Sequence, residues 1–91
     1  MRVNEYKLKK QFFDIEDYIK KFLNKDELWR YLALNNTINA TDISEHANQP
    51  KDIAREIISK LIKSECVIKK HSYYVKTDQF SKWIKSKLNL Q

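Results

Sequence analysis

The chain of 91 residues contains no glycine, one proline and one cysteine. Without glycine no Gly-rich loop can bring backbone amides against a phosphate, so neither the P-loop nor the dinucleotide fingerprint is present and no cofactor is expected. The lone Cys66 excludes an internal disulfide and a cysteine-rich zinc site; it reads as a small buried hydrophobe in a reducing compartment. Long apolar runs are missing too. Stretches such as Ile57-Ile58 and Tyr73-Tyr74-Val75 fall far short of the roughly 20 apolar residues of a bilayer span. The opening Met-Arg-Val-Asn-Glu-Tyr-Lys has no apolar segment behind its charge, as a signal peptide would. One cytoplasmic domain over 1–91, with no membrane partner, is expected.

What is present is charge and periodicity. Eighteen Lys and Arg against 12 Asp and Glu leave a net +6, which favours an anionic partner. After a basic, frayed start at Lys7, Lys9 and Lys10, the segment 14–23 reads as a short amphipathic helix. Its apolar stripe is Phe12, Ile15, Tyr18, Ile19, Phe22 and Leu23, with Asp14, Glu16 and Asp17 in the first turn. Asn24 and Glu27 have capping-box spacing and open a second helix to about Asn35, with Asp26 and Glu27 in its first turn. Leu28, Trp29, Tyr31, Leu32 and Leu34 wrap more than half its circumference, which predicts a central helix.

Thr41 reads as the N-cap of a third helix, with Ile43 and Ala47 inward and Asn48 as its left-handed stop. Pro50 suits the first position of a longer helix reaching about Ser64, whose buried stripe is Ile53, Ile57, Ile58, Leu61 and Ile62. Two β-rich runs, 66–69 and 73–76, flank Lys70-His71-Ser72 as a hairpin lacking the usual Asn-Gly turn. Thr77 or Asp78 caps a last helix, about 78–89, with Phe80, Trp83, Ile84 and Leu88 on one side. The expected class is mainly α with a short β-hairpin.

Within this order, Ile43-Ser44, Ala47-Asn48-Gln49, Pro50 and Ile53 resemble the register of a helix-turn-helix, and 61–70 resembles a recognition helix running into a wing. With Tyr73-Tyr74-Val75 as the returning strand, residues 26 to 76 are similar to a winged helix-turn-helix domain of small bacterial, archaeal and phage transcriptional regulators. The helix-turn-helix would be about 41–64, the wing about 66–76, and the flanking helices additions. Three residues depart from the pattern. Asn48 replaces a turn glycine, Gln49 an apolar residue, and Glu65 the glycine that ends the recognition helix, so Glu65 is either strained or forces a different exit.

The resemblance implies duplex DNA binding, with the Pro50 helix in the major groove and the wing on a neighbouring backbone or minor groove. Lys51 and the helix N-terminus would meet phosphate, and Arg55 suits bidentate readout of guanine. Gln49, Ser59 and Lys63 would add polar and ionic contacts, and Lys69, Lys70, His71, Ser72 and Lys76 would be the wing's phosphate contacts. Charge by segment shifts the weight among these. Residues 41–65 carry 4 basic and 5 acidic groups, whereas 66–91 carry 6 and 1, so the wing and last helix are the expected holders of nucleic acid.

Other chemistry is unsupported. His46 and His71 have no second ligand at metal spacing, Cys66 has no orienting pair, and the carboxylates read as first-turn acids, so neither a metal site nor an enzyme is expected. The aromatic faces of Phe12–Leu23 and Phe80–Leu90 offer a homodimer interface or a dock for a larger protein; the alternative is that both close the monomer's own core. Two further functions compete with a regulator: a winged-helix interaction module of a replication or transcription complex, and a single-strand binder that stacks bases on Tyr73 or Tyr74. Alternation along a strand lets only one of those tyrosines face outward.

Overall fold

A computed structural model describes residues 3–88, with side chains described from Lys10 onward. Five helices and three short strands follow in the order α1 (Val3–Ile19), α2 (Lys25–Leu34), β1 (Thr37–Ile38), α3 (Ala40–Ala47), α4 (Lys51–Lys63), β2 (Val67–Lys70), β3 (Tyr73–Lys76) and α5 (Asp78–Lys87). The class is mainly helical with a small antiparallel sheet, in strand order β1-β3-β2.

α1 begins well before Asp14, so Asp14, Glu16 and Asp17 lie inside the helix rather than in its first turn, and Lys7, Lys9 and Lys10, expected to be frayed, are helical. It stops at Ile19, because Phe22 N–H turns back to the Ile19 carbonyl; Leu23, expected on the buried stripe, is 98% exposed. The capping box at α2 does not form, since the Asn24 side chain caps nothing. Leu34 on α2 is 68% exposed and Ile62 on α4 is 42% exposed, so both leave the predicted core.

β1 was not legible in advance. Thr37 pairs with Val75 and Ile38 with Tyr74, which carries Ile38 into the interior and starts the next helix earlier than Thr41. Its N-cap is Asn39, in extended geometry, whose side chain accepts the Asp42 N–H at 2.8 Å. The Tyr31 hydroxyl accepts from Asn39 N–H and donates to Asp42, both at 3.3 Å. The same polar cluster therefore ties the second helix to the third.

Both stops flanking α4 are left-handed turns made without glycine. At Asn48, φ is 52° and ψ 51°; its N–H bonds the Glu45 carbonyl, and Gln49 N–H bonds Ser44, the pair of bonds of a Schellman turn. Glu65 repeats it at φ 59°, with Glu65 N–H to Ile62 and Cys66 N–H to Leu61. Asn tolerates this region, whereas Glu has no local hydrogen bond to offset its Cβ clash. Pro50 sits just ahead of α4 as its cap, and its carbonyl receives Ile53 and Ala54 N–H.

The core gathers Leu28, Leu32, Ile38, Ile43, Ile57, Leu61, Cys66, Phe80 and Ile84, all fully buried. Phe12, Ile15 and Ile19 of α1 join it, with Phe12 against Phe80 at 5.6 Å and Trp83 at 5.4 Å between ring centroids. The aromatic faces of α1 and α5 thus close on the chain's own interior. Cys66 is buried as expected, and desolvation pushes its thiol from 9.0 to about 12.

Replacing Glu65 by Gly removes the Cβ clash and is expected to stabilise the fold by about 1 kcal/mol in denaturant unfolding, while Asn48→Ala costs about as much. Because the folded-state pKa of Cys66 is raised, its contribution is complete below about pH 9 and is lost as pH climbs toward 12. Tyr31, held near 12 by burial, adds to that loss only above its ordinary 10.0. Cys66→Ala should flatten the alkaline limb of the stability curve above pH 9 by up to about 1.4 kcal/mol per pH unit.

Candidate nucleic-acid interface

α3 and α4 cross at a tight turn that Asn48 makes possible, with Ala47 and Ala54 buried where the two helices meet. The Ser44 hydroxyl donates to the Gln49 carbonyl at 2.5 Å and closes that turn. This leaves the opposite side of α4 to solvent. Lys51, Arg55, Ser59 and Lys63 are all exposed there, and Gln49 is half-buried at the turn. Asp52 and Glu56 share the exposed surface, and Arg55 reaches Asp52 at 3.4 Å in a solvent-exposed ion pair of little strength.

Past Glu65 the chain enters the hairpin. Lys70 pairs with Tyr73, Lys69 with Tyr74 and Ile68 with Val75, so alternation divides the hairpin into two faces. Val67, Tyr74 and Lys76 face inward; Ile68, Lys70 and Tyr73 face outward, with Tyr73 40% and Ile68 53% exposed. Lys69, Lys70, His71 and Ser72 crowd the exposed tip, and neither lysine enters an ion pair among the described residues.

Lys76 is not a wing contact. It is buried at the base of the hairpin, and its ammonium donates to the Leu32 carbonyl at 2.6 Å and the Ala33 carbonyl at 3.1 Å. These are terminal carbonyls of α2, where the helix dipole places partial negative charge. Burial pulls the Lys76 pKa down, and the neighbouring Lys85 charge adds to the effect. Its work is to hold β3 on α2.

Sequence reasoning missed the flank of α4 that meets α1. There the Lys60 ammonium stands 5.2 Å from the Tyr18 ring centroid and the Lys21 ammonium 4.2 Å, so two cations converge on one ring. Burial, with the negative charge of Glu56 adding to it, lifts the Tyr18 pKa to about 12. Only the position of Lys60, four residues after Glu56 on one helix face, hinted at this.

The two histidines lie apart on the surface. His46 is exposed with its ring stacked on Tyr31 at 4.6 Å, His71 lies in the hairpin turn, and no three metal-binding side chains cluster among the described residues. No described helix is long and apolar enough to cross a membrane. Comparison with protein-family models, with curated proteins and with solved structures finds no match for this chain.

A Lys76→Met variant keeps the bulk but strands two helix-end carbonyls. It should lose about 1–3 kcal/mol of stability, read from denaturant midpoints, whereas Lys69→Met at the tip should change stability little.

Proposed function

We propose that the chain is a winged-helix protein that binds duplex DNA through α4 and the hairpin, as a small transcriptional regulator such as phages, viruses or plasmids carry. The observation that supports this most directly is the hairpin tip, where Lys69, Lys70, His71 and Ser72 all stand exposed and no carboxylate pairs with either lysine among the described residues. A solvent-exposed cation with no carboxylate partner recruits phosphate through counterion release. The solvent side of α4 supplies the rest: Lys51 at the positive end of the helix, Arg55 with a planar fork for guanine, and Ser59 and Lys63 along the same surface. Its weak pair with Asp52 leaves Arg55 free to exchange a carboxylate for a base edge. Because Asp52 and Glu56 offset the lysines of α4, the hairpin contributes more affinity and α4 more discrimination.

A second reading rests on Tyr73. Its outward ring lies across the strand pair from Lys70, the arrangement that stacks an unpaired base while a cation meets its phosphate.

Fluorescence anisotropy with labelled duplex and single strands, over a salt series, separates the readings. The regulator reading expects duplex preference, a log–log salt slope smaller by about two in the Lys69→Ala/Lys70→Ala variant, and loss of sequence discrimination in Arg55→Ala. Preference for single strands that Tyr73→Ala abolishes favours the second reading. Absence of any binding at low salt refutes both and leaves a protein-docking role.

A further inference from the structure

α2 carries a stripe that nothing among the described residues covers. Asp26, Arg30 and Leu34 follow at intervals of one helical turn and line a groove of about 490 Å³ closed on its other side by Leu88. Leu34 and Leu23, the latter just before the helix, are the two most exposed large apolar side chains among the described residues, at 68% and 98%. Asp26 and Arg30 stand at ion-pair spacing yet form no pair with each other. Single exposed leucines are ordinary on a protein surface. Their placement is what carries information, because the four residues are nearly symmetric about Leu28. Asp26 and Arg30 lie two residues to either side, Leu23 five before and Leu34 six after.

We propose that this stripe is a homodimer interface in which α2 packs antiparallel against α2 of a second copy. A two-fold contact requires one patch to be its own complement. Laying a second α2 antiparallel across an axis at the height of Leu28 sets Arg30 of each copy against Asp26 of the other, with Leu34 of each at the ends of the contact. Two ion pairs then sit between the two Leu34 side chains, and Leu88 borders the same groove. The charge pattern fits a second copy, since opposite signs one turn apart on a stripe find their complements in the same stripe read in reverse. Of the two alternatives for the faces of Phe12–Leu23 and Phe80–Leu90, a homodimer interface or closure of the monomer core, the second describes Phe12, Ile15, Ile19, Phe80 and Ile84, which are enclosed in the core; Leu90 lies outside the described residues.

Sedimentation velocity of the full chain without nucleic acid, over a wide concentration range, tests the interface independently of the proposed function. Wild type should show a concentration-dependent dimer. Arg30→Asp and Asp26→Arg should each weaken it about tenfold or more, because every dimer gains two like-charge contacts. The Asp26→Arg/Arg30→Asp double variant restores complementarity and should dimerise within a few-fold of wild type, and an equal mixture of the two single variants should form a heterodimer. All four positions changed or faced are exposed, and circular dichroism melting of each variant verifies that it is folded. A wild type that stays monomeric throughout, single variants with undiminished dimer, or a double variant as weak as the singles would overturn the proposal.

Discussion

The buried ammonium of Lys76 is the interaction on which the rest of the structure depends. α2 ends in extended chain at Asn35 with no left-handed turn to satisfy its last carbonyls. The Asn35 side chain returns to the Tyr31 carbonyl, and Lys76 covers those of Leu32 and Ala33. A cation removed from water is costly unless hydrogen bonds and opposite charge surround it, and the helix end supplies both. β3, the strand that carries Lys76, is central in the sheet, so β1 on one side and the hairpin partner β2 on the other are positioned through it. One side chain therefore sets where the exposed hairpin stands relative to the helices.

That anchor shows how far the residues alone could be read. Helical periodicity located α2, α4 and α5 within a few positions, and the alternation of β2 and β3 placed the hairpin. The same alternation puts Lys76 on the face of Tyr74, two residues earlier; the direction of Lys76 was thus legible, but its acceptors, more than forty residues away in sequence, were not. The same distance hid β1, whose two residues have no pattern of their own and become a strand only through Tyr74 and Val75. Asn39 displaced Thr41 as cap because that pairing delivers Asn39, already extended, to the start of α3. Of the candidate interface, the tip residues and the outer side of α4 were readable from charge and spacing; the Tyr18 flank was not, since it arises from two helices meeting far apart in the chain.

Electrostatics distributes work across the surface unevenly. α4 presents both signs in alternation and so gives little long-range pull. The hairpin tip presents one sign and little else, so its attraction for an anion reaches further. The two cations over Tyr18 stand apart from the outer side of α4, one from that helix and one from the turn after α1.

The hairpin also has a rim. β2 is an outer strand of the sheet, with one row of backbone amides and carbonyls unpaired, and such rows recruit strands from other chains. Val67 and Ile68 would favour that association; Lys69 and Lys70, next along the same four-residue strand, oppose it by charge and by desolvation. The tip lysines therefore act as gatekeepers against aggregation. Charge at these two positions thus serves the sheet's own edge, whatever else the tip meets.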